Sequence, residues 1–163
     1  MPPKVLLTSV FKPFAVNDMY SRKESILELF HNQITKAQGI YSLRHTYDSY
    51  GIHAIGNNLG IPCTVLDFPT QKRFIQEIRK GYDYVGISSI VQNFQKVKWM
   101  VEQTRAISPH SKIIIGGFCA AIPHLDKMLD VDYVCVGEGI SFMRKLLGQP
   151  EEFEFKNPDI STD

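Results

Sequence analysis

The chain is poor in the features that mark secreted scaffolds, membrane proteins and self-sufficient catalysts. Cysteine is scarce, with Cys63, Cys119 and Cys135 the three present. An odd count at wide spacing argues against a disulfide framework and for a reduced compartment. No two stand at CxxC spacing, and no CxxxCxxC run exists for an iron–sulfur cluster. The plainer expectation is that all three are buried and behave as small hydrophobes. Charge of one sign is also missing: the formal net charge is +1, so nothing global points to nucleic acid or a membrane surface. No apolar run approaches the ~20 residues of a transmembrane helix. The Met1-Pro2-Pro3-Lys4 opening is no signal peptide, and a cytoplasmic protein is expected. There is no HExxH, no Walker loop, no GxGxxG after the first apolar run and no GxSxG elbow. A free-standing enzyme is therefore not indicated.

What is present is an alternation. Five short apolar runs occupy residues 4–9 (KVLLTS), 63–67 (CTVLD), 84–89 (YVGISS), 112–116 (KIIIG) and 132–136 (DYVCV), each ending near Gly, Ser, Pro or Asp. Their β-branched, near-continuous hydrophobicity suits strands buried on both faces. Helical patterns lie between them. Residues 48–59 carry Ile52, Ile55 and Leu59 on one face, and 71–80 carry Phe74, Ile75 and Ile78. A third helix starts after Asn93, a favourable N-cap, with Phe94, Val97, Val101 and Thr104 in register. Ile122, Leu125 and Leu129 mark a fourth, and Ile140, Met143 and Leu147 a fifth. The spacing predicts right-handed βαβ units in one doubly wound α/β domain over residues 1–149. Residues 11–47 make the first connection unusually long, with a helical pattern over 21–34 through Ile26, Leu27, Phe30 and Ile34. The acidic, proline-bracketed tail 150–163 reads as a linker or the truncated start of a following domain.

In an open parallel sheet, ligands sit outside the carboxyl ends of the strands. Loops 10–13, 68–70, 88–93, 116–120 and 137–139 are then the candidate site. Ser88 and Ser89, followed by Ile90, Val91, Gln92 and Asn93, can hydrogen-bond a heterocycle and pack against it. The bland alternative is a serine-rich strand end that caps its helix. Gly116 and Gly117, before Phe118, allow close backbone approach or merely a tight turn. Gly137, Glu138 and Gly139 have the same character, although Glu138 at a helix start also favours the helix dipole without any function. Lys12 offers a charge to a phosphate or another polar ligand group. His31, Arg44, His45 and Asp48 in the long connection read first as surface or structural residues.

At these loops the sequence resembles the cobalamin-binding domain family, in the form found at the N-terminus of cobalamin-dependent radical-SAM enzymes. The resemblance covers residues 4–148 and is clearest in 84–93 (YVGISSIVQN), 113–118 (IIIGGF) and 133–139 (YVCVGEG); residues 31–44 (HNQITKAQGIYSLR) are also similar to stretches of such proteins. It implies a Rossmann-like (flavodoxin-like) five-stranded parallel sheet of order 2-1-3-4-5, with the corrinoid over its carboxyl edge. In the family a serine ending the third strand meets the nucleotide tail, here Ser88, and a Gly-Gly pair after the fourth lets the tail pass, here Gly116-Gly117. On that reading Gly117→Val is expected to block binding and leave the sheet folded. Many members carry Asp-x-His-x-x-Gly, whose histidine ligates cobalt; counting back from Gly51, this chain has Asp48 at the histidine position and Thr46 at the aspartate position. The resemblance then implies base-off cobalamin with no protein histidine ligand, His45 being a remote substitute. It also implies an iron–sulfur cluster and S-adenosylmethionine in a C-terminal radical-SAM domain that these residues do not contain.

Two other classes share such a fold. A receiver domain would want a phospho-accepting aspartate where Ser88-Ser89 stand and an acidic pair where Ser9-Val10-Phe11 stand. A flavin or nucleotide enzyme would want a Ser/Thr/Gly phosphate loop where Phe11-Lys12-Pro13 intervene. A domain of this fold that has lost cobalamin and serves substrate binding or protein interaction stays open.

Overall fold

A computed structural model describes residues 2–12, 18–20, 49–150 and 152–158. Five strands form one parallel sheet: β1 (Val5–Thr8), β2 (Cys63–Leu66), β3 (Tyr84–Ser88), β4 (Lys112–Gly116) and β5 (Tyr133–Val134), in the order β2-β1-β3-β4-β5. The helices between them are α1 (Tyr50–Asn57), α2 (Gln71–Ile78), α3 (Phe94–Ile107), α4 (Leu125–Met128) and α5 (Gly139–Leu146). The sheet order and the alternation are those the sequence implied.

The strands alternate their side chains between two cores. On one face Leu6, Val85, Ile87, Ile113 and Ile115 pack against Phe74 and Ile78 of α2 and Val97, Met100 and Val101 of α3. On the other, Val5, Leu7 and Ile114 pack with Ile52 of α1 and Met143 of α5. Burying each large apolar side chain contributes roughly 1.5–3 kcal/mol, so these two layers supply most of the drive to close the sheet. At the amino ends of the strands Asp132 joins β4, β5 and α3. Its carboxylate accepts from Ile113 N at 2.9 Å, Lys112 Nζ at 2.8 Å and Arg105 Nη2 at 2.8 Å. Burial alone would raise its pKa, but these donors outweigh it and hold the carboxyl at about 2.

Two local expectations change. Asn93 does not cap α3: it ends a 3₁₀ turn (Val91–Asn93), makes no side-chain cap bond, and buries its Oδ1 without a partner among the described residues. The fourth helix is a single turn, because a 3₁₀ turn (Gly117–Ala121) takes the preceding chain and His124 adopts a left-handed backbone at φ 56°. Ile122 consequently lies outside it. The helical pattern over 21–34, the 31–44 segment, and His31, Arg44, His45 and Asp48 lie outside the described residues.

The tail is anchored over the residues described. Asn58 forms a two-way bond with Lys156, donating from Nδ2 to its carbonyl and accepting its amide at Oδ1, each at 2.7 Å. Asn57 Nδ2 donates to Asn157 O at 3.0 Å, and Arg144 donates from Nε to Pro150 O at 2.8 Å while its guanidinium lies 4.6 Å from the Phe153 ring centre. A linker built from this tail starts from a segment already docked on α1 and α5.

Candidate functional site

Strand alternation also makes the cavity. On the α1/α5 face, β3 presents Gly86 and then Ser88, and β4 presents Ile114 and then Gly116, with Gly86 beside Ile114 and Ser88 beside Gly116 in the ladder. Two of those four positions carry no side chain; the Leu7 side chain fills the space at Gly86, where a Cβ would meet its Cδ2 at 2.8 Å, and of the two Gly116 alone faces open space. A cavity of about 360 Å³ lies beneath α1 and α5, floored by Leu7, Gly86, Ser88 and Ile114 and walled by Ile55 and Phe142. Such a mostly apolar pocket with one or two polar groups suits a heterocycle rather than an ion. The Ser88 hydroxyl has no hydrogen-bond partner among the described residues, so it is available to a ligand.

The glycines divide by physical cause. Gly117 stands at φ +70°, and a Cβ there would lie 2.6 Å from Ser89 O and 3.1 Å from Ser89 N. The backbone needs that glycine with or without a ligand, because Ser89 bridges the two loops by donating to Gly116 O and accepting from Cys119 N. Gly117→Val would therefore damage the fold, contrary to the sequence expectation. Gly139 is closely packed, and a Cβ there would meet Ile55 Cδ1 at 2.6 Å and push that side chain aside. Gly137 adopts φ +99° with open space around it. Gly116 differs from all three: its backbone is extended (φ −128°), any residue could adopt it, and a Cβ would meet nothing within 4 Å. Among the described residues, bare backbone at Gly116 has no internal structural reason.

The other residues singled out from the sequence separate in space. Ser88, Gly116, Gly117, Gly137, Glu138 and Gly139 converge on the cavity. Glu138 also caps α5, its carboxylate accepting from Ile140 N at 2.7 Å and Ser141 N at 2.6 Å. Burial raises its pKa, but those amides prevail and leave it below the usual glutamate range. Ser89 is turned inward and donates to Ile90 O at 3.1 Å. Ile90, Val91, Gln92, Asn93 and Phe118 do not line the cavity. Val91 and Phe118 are exposed at the ends of β3 and β4, as is Val136 after β5, so the strand tips carry an apolar rim. Lys12 sits at the β1–β2 end, bridged to Thr70, with its amide donating to Pro69 O at 2.7 Å.

Sequence reasoning missed Gly86, although alternation from Ser88 places it on the same face. It also missed a polar knot above β1 and β2. There Asp67 accepts from the Ser9 hydroxyl, from Ser49 N at 2.6 Å, and pairs with His53 Nε2 at 3.3 Å, while Ser9 Oγ accepts from Phe68 N. Phe68 is held there at φ 37°, a costly backbone for a bulky residue. The knot pins the start of α1 to the sheet. Burial disfavours the thiolate form of each cysteine. Burial pushes Cys63 up to about 12 and Cys119 up to about 11, and it also raises Cys135, helped by Glu138. Among the described residues no group of three or more His, Cys, Asp or Glu could hold a metal ion, and no helix is long and apolar enough to cross a membrane.

The fold is a flavodoxin-like α/β domain with a cavity under the carboxyl ends of its central strands. The B12 binding domain family matches residues 43–147, more than half of the chain, and the chain belongs to that family. It is a cobalamin-binding module. It is also 34% identical over 79 residues to an uncharacterized protein of Methanocaldococcus jannaschii, a match covering 48% of this chain and 15% of that protein. The chain thus spans only a small part of that relative's length. No solved structure gives a significant match.

Proposed function

We propose that the nucleotide tail of cobalamin enters the α1/α5 cavity, that the cofactor is held base-off, and that the module serves a radical-SAM catalytic domain outside these residues. The observation that carries this reading is the Ser88–Gly116 pair: among the described residues, a free hydroxyl beside a backbone left bare without an internal reason, both opening on an apolar cavity. These residues fit the group, since a bulky heterocycle needs close backbone approach and one polar contact.

In this reading Ser88 donates to or accepts from the tail, and Gly116 and Gly137 leave room for it. Gly117, Gly139 and Glu138 hold the surrounding loops in place. Val91, Phe118 and Val136 offer apolar contact to the ring above the strand tips, with Ser89, Ile90, Gln92 and Asn93 shaping the loop beneath. When bound, cobalamin supplies a cobalt centre for methyl transfer or radical chemistry. The chain's own residues bind it, orient it and exclude water from its tail. Base-off binding is favoured because Asp-x-His-x-x-Gly is absent and His53 is engaged with Asp67. An iron–sulfur cluster and S-adenosylmethionine would belong to the partner domain, and a cytoplasmic setting suits that chemistry.

The test is to load the chain with hydroxocobalamin, desalt it and record the absorption spectrum. Retained yellow pigment is expected. Retained red pigment would keep binding and overturn the base-off assignment. Loss of all pigment would count against the cavity as a corrinoid site in this chain.

A further inference from the structure

The cavity has one wall that does not come from the α/β unit. Phe155, in the tail, joins its lining beside Tyr50, Ile55 and Phe142. Its neighbours are fastened on both sides. Lys156 is paired with Asn58, Asn157 accepts from Tyr50 Oη at 3.2 Å and from Asn57 Nδ2, and Phe153 stacks near Arg144 of α5. Asn58 and Arg144 are themselves buried and bonded to each other, Arg144 Nη1 donating to Asn58 O at 2.9 Å. The segment is therefore gripped by a rigid pair of helix ends.

The cavity stays open with the segment docked, and Phe155 is 48% exposed. The ring borders the space rather than filling it. Resting on the cobalamin reading above, we propose that residues 152–158 are a strap whose Phe155 ring forms a wall of the nucleotide-tail cavity, so that strap docking and cobalamin binding reinforce each other. By linkage, whatever the strap adds to ligand affinity the ligand must return to strap docking. A tail that looks like a spacer in sequence thereby reports whether the cavity is filled.

The experiment compares the intact chain with Phe155→Ala, Phe155→Leu and Tyr50→Phe. Hydroxocobalamin affinity is measured by equilibrium dialysis, and amide exchange over residues 152–158 by mass spectrometry with and without the corrinoid. Phe155→Ala is expected to weaken binding on the order of tenfold, with Phe155→Leu recovering most of it. Tyr50→Phe, which removes one strap bond and little volume, is expected to weaken binding about threefold. Cobalamin should slow strap exchange in the intact chain and much less in Phe155→Ala. Equal affinity across the variants with unchanged strap exchange would overturn the strap and leave the cobalamin reading standing. Tighter binding by Phe155→Ala would also overturn it, showing a plug instead of a wall. If the intact chain binds no cobalamin, the parent reading fails and the strap proposal falls with it.

Discussion

The two faces of the sheet are built from the same strands and have opposite characters. Facing α2 and α3, β3 and β4 present Val85, Ile87, Ile113 and Ile115, and the space above them is filled by Phe74 and by Phe11 edge-on to Trp99, ring centres 5.0 Å apart. Facing α1 and α5, the intervening positions are Gly86, Ser88, Ile114 and Gly116, and a cavity remains. A shift of one residue along a strand separates a filled core from a cavity, because side chains alternate across the sheet. Both faces carry buried apolar side chains, but the cavity lies on the second.

The sharpest way to break this contrast is to empty the filled face. Phe74→Ala is expected to lower the unfolding free energy by about 4 kcal/mol, because Phe74 is fully buried and its neighbours cannot collapse onto the void; urea denaturation followed by circular dichroism measures it. Next is Gly117→Val, expected to cost about 3 kcal/mol through its left-handed backbone and the collision with Ser89. A stable Gly117→Val protein would show that the two loops yield more easily than their geometry indicates.

Gly116→Leu tests the other face. It should change stability by less than about 0.5 kcal/mol, yet weaken hydroxocobalamin binding about a hundredfold, read by dialysis. Unaltered affinity would remove the tail from this cavity.

The Asp132 clasp ties α3 to the strand ends, and acid should loosen it. Its pKa falls from the ordinary 3.8 to about 2 on folding, so the folded state binds fewer protons there. The stabilisation is present above pH ~4 and lost as the pH drops toward ~2, about 2 kcal/mol in all. Asp132→Asn should flatten this acid limb in unfolding experiments at pH 7 and pH 3; an unchanged limb would assign it to other carboxylates. A smaller effect is expected of Ser88→Ala, about fivefold in affinity with stability unmoved, the worth of one hydrogen bond.

Much of the fold could be read from the chain because each strand is a near-continuous apolar run and each helix keeps one stripe. Residues 112–116 (KIIIG) match β4 residue for residue. Local conflicts escaped that reading. Asn93 looks like an N-cap, but a 3₁₀ turn carries it past the capping geometry. The candidate site was half legible: Ser88 and Gly116, far apart in sequence, meet as ladder neighbours. Gly117 and Gly139, equally suggestive on paper, face close neighbours instead, Gly117 the Ser89 backbone and Gly139 the Ile55 side chain. Phe155 gave no signal, since nothing local tells an anchored tail from a free one.

The sequence by itself determined the strand–helix alternation, the lack of a local metal or catalytic motif, and the placing of small residues at the strand ends. Those properties follow from periodicity and spacing, which are local. Only the tertiary structure decided which glycines face open space and which face close neighbours, that one sheet face is filled while the other is hollow, and that the tail returns to border the hollow. Each depends on which residues far apart in the chain come within a few ångströms of one another, and no local pattern encodes that distance.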